Sequence, residues 1–122
     1  MSGPSPRRFP AGDLRDFIAR ALSSVGLPDS DAAACARLMV ASDLAGFNTH
    51  GIFRLTQYMK RIRAGGINVT PTITTVTESP ATAVVDGDNA MGHLVVQYAT
   101  RLAIHKAAEA GCAWVGARGS NH

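Results

Sequence analysis

Cysteine is scarce in this chain, with only Cys35 and Cys112 among 122 residues. That excludes a disulfide framework, and no Cys-x-x-Cys or His-x-x-x-His pair supplies zinc spacing. The expectation is a reduced, cytoplasmic protein with small buried thiols and no metal. Long apolar runs are missing too: Ala32 to Ala36, the longest, falls far short of the about 20 residues of a membrane span. Arg7-Arg8 begins no export signal, because Asp13, Arg15, Asp16 and Arg20 interrupt the stretch where an uncharged apolar region would have to lie. Charge is modest, with 12 Lys and Arg against 9 Asp and Glu for a net +3, which gives no ground for a nucleic-acid or membrane partner. Glycine-rich nucleotide fingerprints are also lacking. No Gly-x-Gly-x-x-Gly occurs, and Gly87-x-x-x-x-Gly92 runs on into His93-Leu94, not the Lys and Ser or Thr of a phosphate loop.

The residues that are present suffice for a globular fold of single-domain size, with 46% hydrophobic residues and a mean hydropathy of +0.05. Leu14, Phe17, Ile18, Ala21, Leu22 and Val25 keep the three-and-four spacing of one helical face, between Gly12 and Gly26. Asp29 and Ser30 offer caps for a second helix, Asp31 to Leu44, whose buried face is Cys35, Leu38, Met39 and Ser42. Ile52, Leu55, Met59 and Ile62 line a third, stopped at Gly65-Gly66, where a left-handed residue is free of strain.

The period then changes. Thr72 to Thr77 and Thr82 to Val85 are β-branched and predict a strand pair, the second broken by Asp86-Gly87-Asp88-Asn89. Val95, Ala99, Leu102 and Ala103 predict a fourth helix from Gly92 to Ala110, and Cys112 to Ala117 a short strand. Strand, helix, strand implies a parallel crossover. The predicted class is α/β: residues 1–10 a mobile tail, 11–66 a helical lobe, 67–122 the start of a mixed sheet. A parallel strand left uncovered at the chain end reads as truncation.

One loop carries candidate chemistry, Asp43-Leu44-Ala45-Gly46-Phe47-Asn48-Thr49-His50-Gly51, with Arg54 one turn further on. His50 can exchange protons near neutral pH, and Arg54 presents a planar fork for a carboxylate. A small carboxylic acid suits the pair. His93 reads as a capping or solvated residue with an approach to a cofactor as the alternative, His105 as surface, Trp114 as core, and Lys60, Arg61 and Arg63 as a basic helix end.

Asp43-Leu44-x-Gly46-x-x-Thr49-His50-Gly51-x-x-Arg54-Leu55-x-x-Tyr58 resembles the ADL-x-G-x-x-SHG-x-x-RL-x-x-Y signature of the malate/L-lactate dehydrogenase family, NAD(P)-dependent oxidoreductases without a Rossmann fold. Gly65-Gly66-Ile67, Val85 to Asn89 with Gly92, and Val115 to His122 resemble further family segments, so the chain is similar to the N-terminal third of such an enzyme. The resemblance implies hydride transfer between NAD or NADP and a small 2-hydroxy or 2-oxo acid, in a homodimer. It makes His50 the proton-transfer residue and Arg54 the carboxylate holder, with Thr49 helping to bind substrate or orient the imidazole. It also places Ser120, Asn121 and His122 at the pocket on the cofactor side. Thr49 replaces the commoner serine but keeps a hydroxyl, and Gly119 stands where many members have Asn. On this reading the 122 residues alone are inactive and marginally stable.

A rival order of three helices and two strands is that of a winged helix on DNA, and a non-catalytic pairing module is a third possibility. The seven residues from Ala45 to Gly51 exceed a helix-turn-helix turn, and a wing leaves residues 86–122 unexplained.

Overall fold

The computed structural model describes residues 7–122, and their elements run in the order α1 (Ala11–Ser23), α2 (Asp29–Leu44), α3 (Leu55–Arg63), β1 (Thr74–Glu78), β2 (Thr82–Met91), α4 (Gly92–Ala110) and β3 (Trp114–Asn121). Of the expected tail, residues 1–6 lie outside the described residues, and 7–10 carry neither helix nor strand.

The helical periodicity holds with local corrections. In α1, Ile18 and Leu22 are fully buried, but Phe17 is 52% exposed. It lines a surface groove with Phe9, Leu14 and Ile52 instead of entering the core. Helix α2 starts earlier than expected, with Pro28 at the cap, so Asp29 and Ser30 lie inside its first turn. Asp29 accepts a 2.8 Å hydrogen bond from Ser23 Oγ, tying α2 to the end of α1, and it also complements the helix dipole. Along α2 the buried face is Ala32, Cys35, Ala36, Met39 and Val40, while Leu38 and Ser42 are half-buried. Two short 3-10 turns, Asn48–His50 and Ile52–Arg54, precede α3, which ends before Gly65 at φ +73°.

Residues of α1, α2 and α3 close one cluster around Tyr58, Ile18, Leu22 and Met39, joined by Ile67 and Met91. A second cluster, Val85, Ala90, Val95 and Ala99, seals α4 against the sheet. Together these buried side chains outweigh local propensity as the source of stability, each large one contributing about 1.5–3 kcal/mol by leaving water.

The sheet order is β1-β2-β3, with β1 antiparallel and β3 parallel to β2. Strand β2 is therefore central, not one arm of a wing. Asp86-Gly87-Asp88-Asn89 does not break it. The register jumps from Asp86 opposite Arg118 to Ala90 opposite Ser120, a bulge in which Asp88 and Asn89 take φ of +50° and +58°. Short polar side chains tolerate that left-handed region, and the strand resumes to Met91. Across the bulge Gly119 has φ +59°, a conformation open to both Gly and Asn.

Strand β3 starts and ends later than expected, so Cys112 precedes it and Arg118 to Asn121 belong to it. Cys112 is exposed, correcting the expectation of two buried thiols, whereas Cys35 is buried and burial pushes its thiol up to about 12. Trp114 is 78% exposed, not core. Helix α4 covers the face bearing Val85, and Trp114 sits opposite Thr82 on the other face. Lys106 on α4 is buried, its Nζ 3.0 Å from Glu78 Oε2 and donating to the Ser79 carbonyl at 2.8 Å. Among the described residues, no helix is long and apolar enough to cross a membrane.

Candidate active site

The loop after α2 is fixed by one carboxylate. Asp43 Oδ2 accepts the Ile52 N–H at 2.9 Å, and its carboxylate fills the space where a side chain at Gly51 would stand. Gly51 is buried at φ −94°, so it is required here for room, not for conformation. The clamp sets His50 at the end of the first 3-10 turn. Thr49 Oγ1 lies 3.0 Å from His50 Nδ1, and Arg54 Nε donates to the Thr49 carbonyl at 2.9 Å. Arg54 Nη1 donates to Gln57 Oε1 in the first turn of α3 at 2.7 Å, so one nitrogen braces the loop and another the helix that follows.

His122 follows directly on the last strand, β3. Arg61 on α3 donates to its main-chain oxygen at 2.8 Å and to Asn121 Oδ1 at 3.1 Å. Asn121 Nδ2 in turn donates to Asn89 O, Asn89 Oδ1 and Ala90 O across the bulge. Arg61 is thus a staple between α3 and β3, not merely a charge at a helix end. The result is a stack of His50 on His122, ring centroids 5.0 Å apart and planes inclined by 20°. Buried Tyr58 lies beneath, its hydroxyl 3.5 Å from His122 Nδ1 and its ring edge-on to His93 at 5.5 Å. Burial raises the Tyr58 phenol above its ordinary value.

His93, in the first turn of α4, is neither capping nor solvated. Its Nδ1 is buried and has no hydrogen-bond partner among the described residues. Burial, and secondarily the proximity of His122, lower its pKa to about 4, so it is neutral at physiological pH.

These rings open onto a cleft of about 390 Å³ between α2 and α4. Leu38 and Ser42 line it from α2, Gly92, His93, Val96, Gln97, Thr100 and Arg101 from α4, and His50 and His122 complete the lining. Of the six residues expected from sequence, His50 and His122 line the cleft. Thr49 and Arg54 stand behind His50. Ser120 and Asn121 sit in β3 beside Gly92, whose missing side chain admits the Asn121 carbonyl. Sequence reasoning gave no role to Tyr58 or to the α4 stripe. The stripe's signal was its helical spacing of polar residues next to Gly92.

Known proteins share this outline. The family model described as malate/L-lactate dehydrogenase matches residues 9–122. A malate dehydrogenase of Pyrococcus abyssi is 40% identical over 115 residues, 94% of this chain and 32% of that protein. An L-sulfolactate dehydrogenase of Methanocaldococcus jannaschii is 44% identical over 108 residues, 88% of this chain and 31% of that protein. In three dimensions, the malate dehydrogenase structure from Pyrococcus horikoshii OT3 superposes with a TM-score of 0.90 at 40% identity, covering 95% of this chain and 33% of that one. The chain therefore spans about a third of the length of the relatives it matches.

Proposed function

The chain belongs to the malate/L-lactate dehydrogenase family, and from that premise we propose that it contributes the proton-transfer side of a site that interconverts a small 2-hydroxy acid and its 2-oxo acid. The observation that carries this reading is the His50–His122 stack at the mouth of the cleft, with a hydroxyl at each Nδ1.

Oxidising a 2-hydroxy acid removes a hydride from carbon and a proton from oxygen, so the protein must hold the acid and receive the proton. His50 takes that proton on its Nε2 and returns it in the reverse direction. Thr49 Oγ1, 3.0 Å from Nδ1, holds the ring's rotation and can accept from an Nδ1–H, which leaves Nε2 as the basic nitrogen. Arg54 keeps one guanidinium nitrogen, Nη2, outside its contacts to Thr49 and Gln57, and this edge receives the substrate carboxylate. His122, which lines the cleft next to His50, meets the cofactor on this reading, with Ser120 and Asn121 just before it in the chain.

The partner in hydride transfer is a nicotinamide cofactor, NAD or NADP, which accepts or supplies the hydride when bound. The residues present fit its reacting ring. Leu38 and Val96 offer apolar walls, and His93, neutral and with its Nδ1 unpartnered among the described residues, offers a polar group beside them. The same reading extends to a homodimer in the cytoplasm, supported by family kinship and by two cysteines that form no disulfide.

The test is reduction of several 2-oxo acids by NADH and by NADPH in the protein carrying this chain. His50→Ala is expected to lower kcat by about 100-fold or more while the cofactor Kd stays within a few-fold. Unchanged turnover would remove His50 from the chemistry.

A further inference from the structure

Tyr58 is fully buried in the helical cluster, and His122 Nδ1, at 3.5 Å, is the one polar partner of its hydroxyl among the described residues. A hydroxyl can donate or accept, but the two directions are not equal here. If Tyr58 donates, its single O–H is satisfied. If it accepts from an Nδ1–H instead, that O–H is left buried with no acceptor, at the cost of a desolvated donor. Burial also holds the phenol above its ordinary pKa, so the proton stays on the oxygen. The contact is long, and such contacts often tighten when a substrate closes the site.

Helix α3 holds both partners in place. Arg61, one turn beyond Tyr58 on the same face, grips the His122 main chain and Asn121, while Tyr58 meets the ring. The Tyr58 ring is itself set edge-on against His93, with 81° between the planes. His122 is therefore gripped at its backbone and at Nδ1, and Nε2 is the nitrogen left for the cleft that this residue lines. Beside it, His50 has the opposite arrangement, since Thr49 Oγ1 at Nδ1 leaves Nε2 basic. Ring centroids 5.0 Å apart leave room for one oxygen off the two ring edges, about 3 Å from a nitrogen of each.

Resting on the dehydrogenase reading, we propose that Tyr58 is a positioning residue which, by donating to His122 Nδ1, keeps the proton of neutral His122 on Nε2 and so makes this ring a hydrogen-bond donor to the substrate's hydroxyl or carbonyl oxygen. The two stacked rings then act with opposite polarity on one atom. In oxidation the hydroxyl proton passes to His50 Nε2, and the oxygen it leaves accepts from His122 Nε2–H. In reduction both N–H groups face the carbonyl oxygen, where negative charge gathers as the hydride reaches the carbon. His122 gains and loses no proton in either direction. The hydride travels between the substrate carbon and the nicotinamide, so a ring at that junction borders the cofactor as well.

In the protein carrying this chain, nitrogen NMR of isotope-labelled histidine reads the tautomer without turnover, because a protonated and a bare ring nitrogen resonate far apart. At about pH 8, above the ordinary imidazole range, His122, assigned by the signals lost in His122→Gln, is expected in the Nε2–H form. Tyr58→Phe keeps the ring against His93 and removes only the hydroxyl, so the Nδ1–H form should appear beside it. The same variant should reduce oxaloacetate or pyruvate, with NADH or NADPH, at a kcat about tenfold lower and with the KM of the acid within a few-fold. An Nδ1–H form in the unaltered protein, His122 signals unchanged in Tyr58→Phe, or a tautomer that changes while kcat does not, each overturns the proposal. Those results leave the dehydrogenase reading in place as long as His50→Ala still suppresses turnover. If His50→Ala turns over normally, that reading fails and the donor role with it, whichever tautomer is found.

Discussion

His50 and His122 lie ring over ring, centroids 5.0 Å apart, although one ends a turn after α2 and the other comes after the last strand. Two separate devices hold them there. The Asp43 carboxylate clamps the first loop at Ile52, and Arg61 staples the end of β3. The pair therefore depends on the helical part and the sheet staying in register, and perturbing either device should be felt at both rings.

Thr49→Val keeps the shape of the side chain and removes the hydroxyl 3.0 Å from His50 Nδ1. The ring then loses the hydrogen bond that holds its rotation, and kcat should fall by about tenfold with KM little changed. Thr49→Ser should restore most of the rate. Steady-state kinetics on the two variants is the measurement.

Gly51→Ala places a methyl group where the Asp43 carboxylate packs. The carboxylate has to move off the Ile52 N–H, so urea melts should show a loss of about 2 kcal/mol. Pairing the change with Asp43→Ala should add much less than the sum, since both remove the same contact.

His93 makes stability depend on pH. Its folded pKa is about 4 against an ordinary 6.5, so between these values the unfolded chain binds the extra proton. Stability should therefore be fully present above about pH 6.5 and decline as pH falls toward 4, by about 3 kcal/mol at most from this group. In His93→Gln the slope over that window should flatten. Melts at closely spaced pH values would show a slope unchanged from wild type if the histidine were in fact solvated.

Lys106→Met preserves the apolar stem and deletes the charge that meets Glu78 and the Ser79 carbonyl. Glu78 is 61% exposed and can turn to water, so the loss rests mostly on the carbonyl and should be about 1 kcal/mol. Thermal unfolding of the variant reads this directly.

The helices were the most legible part of the chain. Gly92 to Ala110 was readable to the residue, because Gly111 closes α4 in the left-handed region at φ +82°. Gly65 similarly marked the end of α3. The strands were harder. Asp86 to Asn89 reads locally as a turn, and only the long-range bonds from Asn121 reveal a bulge inside one strand. Phe17 and Trp114 were misplaced for a related reason: period identifies a face, but whether that face is covered depends on the elements that pack over it. Within the site, His50 was visible as a loop histidine beside an arginine. Arg54 was visible as well, though not its work in bracing Thr49. His93 was visible only as an alternative to a capping or solvated residue, since nothing adjacent in sequence announces that Tyr58 and His122 will lie beside it.

The exposed Trp114 gives the molecule a native optical probe. It is the chain's one tryptophan, and it stands on the sheet face turned away from α4. At 78% exposure its indole is expected to emit as a water-exposed ring, and it lies outside the helical cluster. A blue shift would accordingly report coverage of that single face, by another segment or another molecule, without a label and without disturbing the histidines at the cleft.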